Sequence, residues 1–141
     1  MIQSSDVSRV GESMSTEALN LTANAPLKEV AQILVDRGLS GAAVVDAEGR
    51  ALGVVSQTDL LRHFLKHGNL QGTAEDAMTA LAVSLPADAT MAQAASVMAK
   101  ERIHRAVVHN TSGHVIGMLT SSDVVRWVAQ HEAHSSSDES A

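Results

Sequence analysis

Apolar residues recur along the chain in two alternating rhythms. In LKEVAQILV, Leu27, Val30, Ala31 and Leu34 fall three and four positions apart, and Met91, Ala94, Ala95 and Met98 repeat that spacing in MAQAASVMA. Such spacing puts one apolar stripe on a helix. Runs of another kind follow. AAVVDAEGRALGVV over 42–55 and AVVHNTSGHVIGML over 106–119 are apolar stretches broken by a polar turn. They predict β-hairpins with Gly49 and Gly113 in the turns, where positive φ comes most easily. Each hairpin is followed by a second predicted helix, over 57–67 and 121–131. Gly38 is expected to stop the first helix of the first set, and the corresponding helix of the second set is expected to end near Arg102. Short apolar strands, LNL at 19–21 and AVSL at 82–85, precede these helices across turns marked by Pro or Asp.

The two sets are copies of one unit. A shift of 64 positions places Met14 on Met78, and the match then runs without a gap to the end of the second half. GRALGVVSQTDLLR (49–62) lies on GHVIGMLTSSDVVR (113–126), so that Gly53 meets Gly117, Asp59 meets Asp123 and Arg62 meets Arg126. Internal repeats decide architecture. The expected organisation is a flexible N-terminus over 1–10, a first repeat over 11–68, a linker over 69–73, a second repeat over 74–131 and a disordered tail over 132–141. The tail, within HEAHSSSDESA, is polar, acidic and Ser-rich. A βαββα unit cannot cover both faces of its own sheet, so the copies are expected to pack together about a pseudo-twofold axis, in an α/β (α+β) fold.

Composition narrows the function. The chain has 141 residues, 45% of them apolar, enough for one compact domain or two small halves sharing a core. Its net charge of −6 argues against nucleic acid as a partner, because that binding depends on clustered Lys and Arg. Phe64 and Trp127 are the aromatic residues, too few for base-stacking platforms. The chain has no cysteine, which excludes disulfides and thiolate chemistry. No apolar run approaches the ~18 residues of a membrane span, and the N-terminus lacks the features of a secretion signal. A soluble, cytoplasmic protein is the expectation.

Ser56-Gln-Thr-Asp59 and Thr120-Ser-Ser-Asp123 carry the candidate chemistry. Both have the spacing of a capping box, in which the hydroxyl accepts from the third amide of the helix and the acid reaches back to the capping residue; this arrangement contributes about 1 kcal/mol and needs no ligand. Position adds a second reading. In both copies the motif sits where a strand runs into a helix N-terminus, and an acid there can accept hydrogen bonds from the vicinal hydroxyls of a ribose. Capping and ligand binding compete for the carboxylate.

The repeated Gly-h-h-Ser/Thr-x-x-Asp ending, together with the order of elements over residues 11–130, resembles a pair of CBS domains, the cystathionine β-synthase type module. The resemblance implies a regulatory module that binds an adenosine-containing ligand (AMP, ADP, ATP or S-adenosylmethionine) between the repeats and requires no cofactor. It implies ribose binding by the motif Asp, and base contacts from the other copy. One site then comprises Ser56 and Asp59 with Val83, Ile103, His104 and Arg105. The second comprises Thr120 and Asp123 with Leu19, Leu39, Ser40 and Gly41. His104 and Arg105 can donate to phosphate; Ser40 and Gly41, their counterparts, supply no cation. The resemblance further implies a homodimer formed through helix faces (Ala92, Ala95, Ala99; Leu60, Leu61, Phe64); Trp127, which stands where the first copy has His63, is expected to cover apolar surface at a dimer contact. A protein effector is expected, since the chain carries no effector domain of its own. The alternative is a structural oligomerisation module with degenerate sites. Without a Walker loop, paired acids or a nucleophile–base pair, an enzyme is not expected. His63 and His67 have metal-ligand spacing but no evident third ligand.

Overall fold

Each predicted hairpin and helix forms, and the loops between them hold three short elements that the periodicity did not predict. The computed structural model describes residues 8–15, 19–80 and 83–140. The first repeat is β1 (Asn20–Thr22), α2 (Leu27–Asp36), β2 (Gly41–Val45), β3 (Ala51–Ser56) and α3 (Gln57–His67); α1 (Val10–Ser13) precedes it. The lead segment of the second repeat folds as α4 (Ala74–Ala77) and β4 (Thr79–Ala80). The second repeat is β5 (Ser84–Pro86), α5 (Met91–Glu101), β6 (Arg105–His109), β7 (Val115–Thr120) and α6 (Ser121–Ser140). In each repeat the short first strand runs parallel to the second, with a helical crossover between them, and the second and third form the antiparallel hairpin. Ala82, placed in a strand by its apolar neighbours, lies outside the described residues.

The continuous apolar runs of β2 and β6 are explained by burial on both faces. Ala42 and Val44 turn toward Leu27, Val30 and Leu34 of α2, and Ala106 and Val108 turn toward Met91, Ala94 and Met98 of α5. Ala43 and Val107 point the other way, where a third cluster joins them to Val54, Val115 and Met118. The partners in that cluster are repeat-equivalent pairs, Ala43 with Val107 and Val54 with Met118. Contacts at the hairpin tips are reciprocal as well: Gly49 packs on His114, and Gly113 packs on Arg50. Reciprocity of this kind is the mark of a twofold axis.

The segments leading into the repeats are exchanged. Val10, fully buried, packs with Leu85, Met91 and Leu119 of the second repeat, and its amide donates to the Ala89 carbonyl at 2.9 Å. Ser15 then bridges to Met118 on the edge of β7. In the same way Ala74 enters the core of the first repeat, and β4 pairs with β3. Gly53 and Gly117 permit this approach. A β-carbon at Gly53 would lie 2.5 Å from the Thr79 carbonyl oxygen, and one at Gly117 would lie 2.6 Å from Met14 Sδ.

Several expectations are corrected. The flexible N-terminus was placed over 1–10, but Ser8 accepts from the Met91 amide at 2.8 Å and Val10 is core, so the anchored chain begins by residue 8. The last helix does not end at 131: α6 continues to Ser140 through the tail expected to be disordered, and residues 132–140 contain no Gly or Pro to interrupt the backbone ladder. Leu60 is not on an outer face; it is 7% exposed in the first core. Trp127 is likewise buried in the second core rather than at a surface, its ring tilted against that of His131 with centroids 4.6 Å apart. Leu61 and Phe64 are outward as expected, and Val35, Leu65 and, on α6, Val125 are exposed with them.

Candidate functional site

Ser56 ends β3 and caps α3, and Asp59 occupies the third position of that helix. The complete capping box forms. The Ser56 amide and hydroxyl both donate to Asp59 Oδ2, at 2.8 and 2.9 Å, while the Ser56 hydroxyl accepts from the Asp59 amide at 3.1 Å. The other carboxylate oxygen is also engaged. Asp59 Oδ1 accepts from the Thr79 hydroxyl at 2.9 Å and from Arg62 Nη1 at 3.0 Å. Asp59 is 6% exposed, and these four donors satisfy a buried carboxylate, three of them coming from Ser56 and from Thr79 on β4. The Arg62 side chain is largely exposed, so its ion pair adds little to stability.

Asp59 forms part of the floor of a cleft of about 280 Å³ between the repeats. Ser56, Asp59, Val83, Ile103, His104 and Arg105, the six residues assigned to the first site by sequence, all line it. Val83 and Ile103 give an apolar wall that continues into the second core. His104 and Arg105 form a polar rim, and the structure adds Val54, Arg62, Thr79, Ala80 and Arg102, which the sequence did not reveal. Arg62 was legible, since it follows Asp59 by one helical turn. Thr79 and Ala80 were not, because only the pairing of β4 with β3 brings them there.

The second motif is looser. The Thr120 amide donates to Asp123 Oδ2 at 2.8 Å, the Thr120 hydroxyl accepts from the Asp123 amide at 3.3 Å, and Arg126 reaches Oδ1 at 3.3 Å. Leu19 and Leu39 of the set assigned to this site pack against the core of the first repeat. Ser40 and Gly41 lie at the start of β2, where both meet Arg105: its Nη2 donates to Ser40 Oγ at 3.1 Å, and its Cζ lies 3.4 Å from a β-carbon built on Gly41. Arg105, assigned to the first site, therefore also reaches residues assigned to the second. Its Nε is shut off from solvent with no hydrogen-bond partner.

Elsewhere, His63 Nε2 lies 2.8 Å from the Gln71 carbonyl and its ring sits 4.4 Å from that of His67. Among the described residues no group of three or more His, Cys, Asp or Glu is placed to hold a metal ion. No helix among them is long and apolar enough to cross a membrane.

Comparison with known proteins agrees with this architecture. Residues 7–66 and 74–130 each match the CBS domain. Inosine-5'-monophosphate dehydrogenase of Nitrosopumilus maritimus is 26% identical over 118 residues, which are 84% of this chain and 24% of that enzyme. The chain spans less than half the length of the curated relatives it matches first. Among solved structures, CBSX2 in complex with AMP superposes with a TM-score of 0.74 at 25% identity, covering 87% of this chain and 97% of that one. The CBS domain protein PAE2072 of Pyrobaculum aerophilum, complexed with AMP, gives 0.74 at 26% identity, covering 82% and 88%. With two matched repeats, exchanged lead segments and a cleft between the halves, the chain belongs to the CBS domain family and is built as a CBS pair.

Proposed function

We propose that this CBS pair is a regulatory module that binds an adenosine-containing ligand between its repeats, with AMP the leading candidate ahead of ADP, ATP and S-adenosylmethionine. One observation carries the reading: a single cleft joins the Ser56–Asp59 box to the apolar wall of Val83 and Ile103 and to the cations at its rim. Adenine is apolar on its faces, ribose offers vicinal hydroxyls, and phosphate takes the planar donor fork of an arginine. Asp59 Oδ2 stays with the cap, while Oδ1 exchanges Thr79 and Arg62 for ribose hydroxyls. The AMP held by CBSX2 and by PAE2072 supports the choice of nucleotide.

Binding is passed on as a change of conformation or assembly to a protein effector. A second copy of the chain is the partner that suits Val35, Leu61, Phe64 and Leu65, because exposed apolar side chains of α2 and α3 are covered when the same surface meets itself across a twofold axis. Thermal unfolding with adenosine, AMP, ADP, ATP and S-adenosylmethionine tests the function. Ligand at about 100 times its Kd adds about 2.7 kcal/mol of stability. No shift with any of the five favours the alternative, an oligomerisation module in which Asp59 serves only as a cap.

A further inference from the structure

We infer that Arg102 is a specificity residue of the cleft, held in a left-handed backbone conformation so that its guanidinium meets the phosphate end of an adenosine ligand. The inference rests on the nucleotide reading and narrows it to phosphate-bearing ligands. Arg102 stops α5 with φ 55° and ψ 44°. Among the described residues it is the only non-glycine with positive φ; the others are Gly38, Gly49, Gly68, Gly72 and Gly113. A β-carbon crowds the neighbouring carbonyl in this region, so a helix stop of this kind normally takes glycine.

The first repeat makes the same stop without the strain. Gly38, 64 positions earlier, has φ 64°, and the next residues make equivalent bonds: the Leu39 amide donates to the Leu34 carbonyl at 2.8 Å, and the Ile103 amide to the Met98 carbonyl at 3.1 Å. Glycine would serve the turn at 102 as well as it does at 38. An arginine there needs a reason outside the turn, and the cleft supplies it: Arg102, Ile103, His104 and Arg105 line it one after another. Asp59, the carboxylate of the cleft, is already paired with Arg62 at 3.0 Å. Arg102 is exposed, and among the described residues its side chain makes no ion pair or hydrogen bond. Its planar donors suit phosphate oxygens, whereas neutral adenosine brings no anion to them and S-adenosylmethionine brings a sulfonium cation. Backbone strain beside a ligand cleft, at a position where glycine would relieve it, is a device kept for binding against stability.

Calorimetric titration of the full chain with AMP and with adenosine, set beside urea unfolding of the ligand-free protein, tests the inference. Arg102→Gly is expected to bind AMP about tenfold more weakly, the lower range for hydrogen bonds to a charged group, while adenosine affinity stays within about threefold and the urea midpoint is unchanged or raised. Arg102→Lys keeps the left-handed backbone and the charge, which also suits a helix C-terminus, and is expected to hold AMP more tightly than Arg102→Gly does. An AMP loss below about threefold in Arg102→Gly overturns the inference, as does an equal loss for adenosine. So does a lowered midpoint, which makes Arg102 a stabiliser of the α5 end, or equal AMP affinity in the two variants. Failure of both AMP and adenosine to bind the wild-type protein overturns the nucleotide reading itself.

Discussion

Asp59 and Asp123 stand at equivalent positions on equivalent helices, yet their surroundings differ. The first carboxylate takes four side-chain and backbone donors at 2.8–3.0 Å; the second takes the Thr120 amide at 2.8 Å and Arg126 at 3.3 Å. The cap comes from within each repeat, through the spacing of hydroxyl and acid. What distinguishes the two comes from outside: Thr79 arrives on β4, from the lead segment of the second repeat, and His104 and Arg105 come from that repeat's hairpin entry. A duplicated motif therefore keeps its local structural role in both copies, while its ligand chemistry depends on what the rest of the fold delivers to it.

Substituting the two acids gives the largest expected contrast. Asp59→Asn leaves a buried Ser56 donor and the Thr79 hydroxyl poorly matched, and is expected to cost about 1–3 kcal/mol in chemical denaturation. Asp123→Asn is expected to cost about 0.5–1 kcal/mol, the lower range for a cap. Equal losses would mean that the extra donors at Asp59 contribute nothing. The glycines sharpen the comparison further. Gly53→Ala drives a β-carbon into the Thr79 carbonyl, and an overpacking loss of about 1–3 kcal/mol is expected. Gly117→Ala meets Met14 Sδ at 2.6 Å and the Ser15 carbonyl oxygen at 2.9 Å, a longer approach to backbone than at Gly53, and is expected to lose less by the same measurement.

The outer helix faces differ in turn. Phe64→Glu with Leu65→Glu is expected to give a monomer in sedimentation at micromolar concentration, with stability changed by less than about 0.5 kcal/mol, as is usual for surface sites. Val125→Glu, on the equivalent face of α6, is expected to leave the dimer intact. The smallest effect is acid-dependent. Asp76 lies below its ordinary value of 3.8, chiefly because the Thr73 amide and then its hydroxyl donate to it, with His63 and His67 contributing. A lowered carboxylate stabilises the fold above its unfolded pKa and loses that contribution as pH falls through its folded pKa. Asp76→Asn is therefore expected to flatten a slight loss of stability below about pH 4, read from urea midpoints across that range.

What the sequence determined by itself is local. Hydrophobic spacing located α2, α3 and α5 and both hairpins, and the three-residue interval between hydroxyl and acid located the caps, because helix and hairpin geometry depends on near neighbours. The family resemblance named six of the residues that line the first cleft. Only the tertiary structure decided the rest. Which repeat each lead segment completes depends on close approach at Gly53 and Gly117, and neither a four-residue helix nor a two-residue strand has a periodicity to read. Trp127 is core rather than surface because α6 packs on α5 in that register. Arg105 meets Ser40 because the packing of one repeat on the other carries its side chain across to the start of β2, a contact that no spacing along the chain expresses.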